Sequence, residues 1–229
     1  MSNGLAPSVL GTAASFGFGD RLGLATPGHV AALREAGGAI RGIFAQQSIR
    51  EMTRTRRTPQ GVMSAAIDAL AALKFTDIWG ADADHLKTPQ DIKATADAGF
   101  VFFTLDPSDD VDQQADGYDA ATLAQKFDMI RDFAPWVGEY EGRTIKLSSG
   151  PITFDQATLQ RAAVKYGKAI KKTVALAKSV AEESARVKRP YEIELSVDET
   201  AEPTTPAEHY IIADQLRQAG VKILSLIHI

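Results

Sequence analysis

Asp82, Asp84, Glu194 and Asp198 occupy alternate positions of two β-like runs, Ile78–His85 and Tyr191–Glu199. Along a strand, successive side chains point to opposite faces. In the second run Ile193, Leu195 and Val197 form an apolar face suited to packing on helices, so Glu194, Ser196 and Asp198 face the other way. Gly80, Asp82 and Asp84 alternate with Ala81 and Ala83 in the first run, Thr104 and Asp106 share a face of Phe100–Asp106, and Gly42–Ser48 ends in Gln46-Gln47-Ser48. A purely structural core would carry Val, Ile or Leu at such places. Buried carboxylates facing one cavity are costly unless a metal, a ligand or hydrogen bonds neutralise them. The set therefore points to acid/base or metal chemistry. The bland reading, acids at a solvated sheet edge, would serve for one residue but fits four together poorly.

Two further residue types extend this site. His85 closes the first run behind Asp82 and Asp84; it reads either as a hydrogen-bonded turn residue or as a metal ligand. Arg50 opens the basic run Arg50, Arg54, Arg56, Arg57 directly after Ser48, where a guanidinium could clamp a carboxylate or phosphate. For the last three arginines, solvated loop charge is the favoured reading. Gly17-Phe18-Gly19-Asp20 lacks the spacing of a dinucleotide or P-loop fingerprint, and neither a Gly-x-Ser-x-Gly elbow nor an HExxH helix occurs.

The elements that position these residues alternate between strand and helix. β-like runs are expected at Ala14–Asp20, Gly42–Ser48, Ile78–His85, Phe100–Asp106, Tyr191–Glu199 and Val221–Leu226, with amphipathic helices such as Val30–Ala36, Gln60–Leu73 and Pro206–Ala219 between them. Thr26-Pro27, Thr58-Pro59, Thr88-Pro89 and Thr205-Pro206 mark helix starts, with Thr as N-cap and Pro in the first turn. Thr88…Asp91 and Thr205…Glu208 extend to capping boxes. This βα rhythm predicts a parallel sheet with right-handed crossovers. It breaks at Asp109–Gly150, a polar stretch with a short helix near Leu123–Phe133 and a hairpin or loop at Gly138–Pro151. A long helix follows from Asp155 to about Lys188, so about 109–188 reads as an insertion with a structural or lid role. Six βα units fall short of a closed (β/α)8 barrel of about 250 residues. The fold expected is thus an α/β TIM-barrel type, truncated to about six units in a single incomplete domain over 1–229.

Composition narrows the function classes. The 229 residues carry 25 Lys+Arg against 29 Asp+Glu, a net charge of −4 that removes the electrostatic case for a nucleic-acid binder. The absence of cysteine excludes disulfides, thiolate metal sites and cysteine nucleophiles. No apolar run approaches the ~20 residues of a membrane span. Met1–Thr12 lacks the regions of a signal peptide, so a cytoplasmic protein is expected.

The stretches SFGFGDRLGLATPGHV, IFAQQSIREMTRTRRTP, WGADADHLKTP, FFTLDPSDDVD, AAVKYGKAI and ELSVDETAEPTTP resemble, in order, the tagaturonate epimerase family. The resemblance runs from Ser15 to about Ser225, the first half of such a protein; Leu226-Ile-His-Ile229 reads as a non-native tail, and the chain as a partial or inactive enzyme. It implies a metal-dependent TIM-barrel enzyme that interconverts D-tagaturonate and D-fructuronate in hexuronate catabolism. The two epimers differ at a hydroxyl-bearing carbon β to the ketone, whose C–H that carbonyl does not acidify. A divalent metal ion (Mn, Zn or similar) polarising the ketone would permit retro-aldol cleavage and re-addition; transient oxidation would need a nicotinamide, for which no motif is present. By position, Glu194 is then the metal-ligating or catalytic carboxylate, Asp84 an acid/base partner and His85 a second metal ligand, with Glu199 ranked below them. Gln47, Ser48, Asp82 and Asp198 would bind substrate hydroxyls, and Arg50 the carboxylate. The partner expected is a small-molecule uronate, with neither nucleic acid nor membrane, and with homo-oligomerisation open. Another metal-dependent sugar isomerase or aldolase on the same barrel, or a non-catalytic fragment, are the alternatives.

Overall fold

The computed structural model describes residues 5–148, 150–197, 200 and 202–228. β1 (Ser15–Gly19), α1 (Thr26–Ala36), β2 (Arg41–Ser48), α2 (Ile49–Thr55), α3 (Pro59–Ala72), β3 (Asp82–Leu86), α4 (Pro89–Ala98) and β4 (Phe102–Leu105) follow in order. Then come α5 (Ala120–Ile130), α6 (Val137–Tyr140), the antiparallel hairpin β5 (Thr144–Leu147) and β6 (Gly150–Thr153), and the long α7 (Gln156–Val187). β7 (Glu192–Val197), α8 (Pro206–Gln218) and β8 (Ser225–His228) complete the described chain. One sheet has the order β1-β2-β3-β4-β7-β8, and β1 through β4 pair in parallel, as an α/β fold built from successive βα units requires.

Two expected strands shift. Strand three begins at Asp82 rather than Ile78, because Gly80 makes only an isolated bridge to Ile43 and Ile78 lies exposed. The last strand begins at Ser225 rather than Val221. The Val221 amide is taken by Leu216 O at the end of α8, and pairing resumes at Leu224, whose N–H donates to Ile193 O.

Three of the four Thr-Pro starts cap as expected: Thr58, Thr88 and Thr205 accept from the amides of Gly61, Asp91 and Glu208, and the latter two are reciprocal capping boxes. The fourth does not. Thr26 lies inside α1, and its place as acceptor is taken by Asp20, whose carboxylate receives the amides of Gly23, Leu24, Ala25 and Thr26 at 2.7–3.1 Å. Burial pushes the Asp20 carboxyl up, but these four donors outweigh it and hold the group below its ordinary value. A carboxylate can answer more orphan amides than a hydroxyl can, and its charge favours the helix N-terminus.

The chain divides into two compact units. The unit comprising residues 1–105, 176–194 and 223–225 has an aromatic core in which Phe44 stacks on Phe18 and meets Phe75 edge-on, with Trp79 beside it. The other holds Tyr140, Phe154 and Tyr210 in ring contact. It also buries Lys165, 1% exposed, against Asp116 at 2.7 Å and Glu208 at 3.7 Å. Burial lowers the Lys165 ammonium, and the two carboxylates outweigh that and raise it. Removing one partner of a buried ion pair strands the other charge. Lys165→Met is expected to lower unfolding free energy in urea by about 3 kcal/mol, with partial recovery in Lys165→Met/Glu208→Gln. An unchanged midpoint would contradict the anchoring role.

Candidate functional site

Two irregularities at the carboxyl ends of neighbouring strands shape the site. Against β1, Gly17 pairs with Ile43 and Gly19 with Gln46, so two steps on β1 face three on β2. The extra residue is a β-bulge, which re-aims the side chains beyond it. Ile43 and Gln46 consequently line the same cavity, where strict alternation from Ile43 would have turned Gln46 away. The second irregularity lies in β3: Ala83 pairs with Phe103 and Leu86 with Leu105. His85 sits in that bulge at φ 54°, a left-handed backbone that costs a non-glycine residue about 1–2 kcal/mol. Its effect is to turn Asp84 and His85, adjacent in sequence, toward one cavity.

That first cavity, about 760 Å³, opens at the ends of β1, β2 and β3 and is lined by Gln46, Gln47, Ser48, Arg50, Asp84 and His85 among others. A second, about 360 Å³, receives Gly17, Ile43, Asp82, Phe102, Glu194 and Ser225, one residue from each strand of the sheet. Six strands can line one cavity only if the sheet curves around it. Gln46 lines both cavities.

Thr104 joins two of the predicted carboxylates. Its hydroxyl, 1% exposed, lies 3.0 Å from Asp82 Oδ1 and 3.1 Å from Glu194 Oε1. Burial first, and then the like charges of Asp84 and Glu194, push the Asp82 carboxyl well above its usual range, against hydrogen bonds from Thr104 and Gln46. One hydroxyl donates one proton and so cannot serve two carboxylates at once. A protonated Asp82 resolves the conflict: it donates to Thr104 Oγ1, and Thr104 donates to Glu194. Nearer the mouth, His85 Nδ1 lies 2.8 Å from Asp84 Oδ1, both side chains about three-quarters buried.

The remaining predicted residues take distinct places. Gln47 is 4% exposed, and its Nε2 finds no hydrogen-bond partner among the described residues. Ser48 is buried on the cavity wall and also caps α2, its Oγ accepting from Glu51 N at 3.2 Å. Arg50 is largely exposed at the rim, 4.0 Å from Glu51. Asp198 and Glu199 lie outside the described residues.

His85 and Glu194 line different cavities, and among the described residues no three His, Asp or Glu side chains converge as a cation site. These donors do not by themselves fit a bound metal ion. Sequence reasoning gave no role to Gln46, Thr104, Arg21 or Glu51. The Thr104 orientation was legible in strand alternation, but Gln46 was hidden by the bulge.

The Asp82 shift has a measurable consequence. A carboxyl raised on folding holds a proton that the unfolded chain has released, so its contribution is full below the ordinary carboxylate range and is lost as pH rises toward the raised value. Asp82→Asn should therefore gain stability relative to the parent progressively as pH climbs above about 4. Urea titrations across that range that show a constant difference would contradict the shift.

Comparison with known proteins identifies relatives of the chain. The family profile described as tagaturonate epimerase matches residues 2–228. A tagaturonate/fructuronate epimerase of Thermotoga maritima is 37% identical over 222 residues, covering 97% of this chain and 45% of the relative. Crystal structures of a fructuronate-tagaturonate epimerase from Cohnella laeviribosi, native and glycerol-complexed, superpose with a TM-score of 0.87 at 35% identity, covering 96% of this chain and 45% of theirs. The chain thus spans a little under half the length of the relatives it matches. Taken with a profile match over nearly every residue, these likenesses show that the chain belongs to the tagaturonate epimerase family.

Proposed function

We propose that the chain provides the substrate-facing carboxylates of an enzyme interconverting D-tagaturonate and D-fructuronate, with its six sheet strands forming part of a (β/α)8 barrel. The observation that carries this reading is the Asp82–Thr104–Glu194 chain, which sets a proton-holding carboxyl beside a second carboxylate in one polar cavity. Groups whose environments push their proton affinities apart divide acid and base roles between them.

Epimerisation at a carbon β to the ketone follows from retro-aldol cleavage. Glu194 Oε accepts the proton of the β-hydroxyl. The bond between that carbon and its neighbour next to the ketone breaks, its electron pair forming the enolate, while the hydroxyl carbon becomes an aldehyde. Neutral Asp82 hydrogen-bonds substrate oxygens without opposing the enolate charge. The aldehyde turns, the enolate adds to its other face, and the new alkoxide takes the proton held by Asp82, which the protonated Glu194 restores through the Thr104 hydroxyl. Gln47 and Ser48 hold hydroxyls, and Arg50 meets the substrate carboxylate. A divalent cation such as Mn or Zn would polarise the ketone when bound. The described residues supply no complete ligand set for one, and no step above passes through it. No described helix is long and apolar enough to cross a membrane; a cytoplasmic enzyme acting on a soluble uronate is the accompanying proposal.

Turnover of both ketouronates, with and without added Mn2+ or Zn2+, tests the reading in this chain and in a version extended to the relatives' length. Glu194→Gln is expected to lower turnover of the active form by about a hundredfold or more; near-normal turnover would contradict its role. In 2H2O the epimerised carbon should keep its original hydrogen, because only C–C and O–H bonds break. Deuterium at that carbon would overturn the retro-aldol route.

A further inference from the structure

Arg57 departs from the solvated loop charge expected of the last arginines in its run. It is half-buried, and its guanidinium joins two carbonyls of separate elements. Nη1 donates to Asp20 O at 2.8 Å, and Nη2 to Gly61 O, in the first turn of α3, at 3.2 Å. The loop between β1 and α1 meets this guanidinium at Gly23. A Cβ built there would lie 2.7 Å from Arg57 Nη2 and 3.2 Å from Ala65 Cβ, and the backbone has φ +75°. Only glycine suits both the space and the conformation. Gly23 is also the one residue of 19–25 outside the lining of the first cavity, while Leu22 and Leu24 on either side belong to it. The loop therefore turns its bare residue to Arg57 and its flanking leucines to the cavity.

The same stretch is braced twice more. The Asp20 carboxylate gathers the amides of Gly23, Leu24, Ala25 and Thr26, and Arg21 reaches Glu51 at 3.4 Å. The Arg21 side chain is 70% exposed, and ion pairs in water hold weakly. The Arg57 bonds, from a charged donor to carbonyl oxygens, are the firmer tie. Core packing does not account for this bracing, because Leu22 and Leu24 remain 68% and 78% exposed. What the braces hold constant is one wall of the cavity.

We infer that Arg57 is a positioning residue of the site: from outside the cavity, it fixes the β1–α1 loop as a ready-made wall, so that a substrate need not order the loop as it binds. The inference rests on the ketouronate reading for the identity of the ligand, and adds a residue that the catalytic scheme does not contain. Arg57 is not among the residues lining the first cavity and touches no reacting group. Loop ordering at the moment of binding subtracts from affinity, so such a strut acts on KM rather than on kcat.

Amide hydrogen exchange on this chain tests the strut. Arg57→Met keeps the aliphatic stem and removes both carbonyl bonds. Exchange at Leu24 and Ala25 should quicken about tenfold or more, while the Glu192 amide, bonded to Val101 O, keeps its parent rate. Gly23→Ala, which displaces the guanidinium from the loop side, should give the same pattern. Arg57→Lys, able to reach one carbonyl, should recover part of the protection. By calorimetry D-tagaturonate should bind Arg57→Met about tenfold more weakly. In the form that turns over, KM should rise by a similar factor with kcat within about threefold. Unchanged exchange at Leu24 and Ala25, unchanged affinity despite faster exchange, or a fall in kcat at constant KM would each overturn the positioning role and leave the ketouronate reading in place. Equal acceleration at Glu192 in both variants would mean a general loss of stability, and would overturn it too. A parent chain that binds no tagaturonate would count against the ketouronate reading, and the exchange result would then decide the strut alone.

Discussion

The site depends on a shortage of protons. Thr104 lies between Asp82 and Glu194 with one hydroxyl hydrogen for two carboxyl groups, and both Thr104 and Asp82 are buried. The economical solution is for Asp82 to keep its proton, and burial together with the neighbouring charges of Asp84 and Glu194 drives it that way. Three strands, β3, β4 and β7, must sit side by side for this contact to exist, so the sheet order is a condition of the chemistry.

Around that contact the fold spends strain and charge where a binding site needs them. The bulge in β3 holds His85 in a left-handed conformation and brings it to Asp84; the bulge in β2 turns Gln46 inward against Asp82. Both distortions fall at the carboxyl ends of parallel strands, where α/β sheets place their ligands.

Much of this was legible in the sequence because the period of a strand is two. Ile193, Leu195 and Val197 against Glu194 and Ser196, and Ala81 and Ala83 against Asp82, are patterns that one inspection of spacing assigns to faces. Thr88 and Thr205 with their acidic partners announce helix starts for the same local reason. What spacing could not give was any feature set by pairing between strands. A bulge adds one residue relative to a partner many positions away, so Gln46 was placed without a role, and the bulge that turns Asp84 and His85 toward one cavity left no local signal. The replacement of Thr26 by Asp20 as the acceptor at α1 is another case: four amides converge on a carboxylate only once the intervening turn has folded. Arg21 and Glu51 likewise meet only through a contact between the loop after β1 and the first turn of α2.

The titration of the Asp82 carboxyl, followed by 13C NMR of selectively labelled protein, tests the central claim most directly. Its midpoint should lie well above the ordinary carboxylate range and move down in Glu194→Gln, where one of the opposing charges is gone. A midpoint near 4, unmoved by that substitution, would mean that no proton is held between these residues and that the acid and base roles assigned to them are wrong.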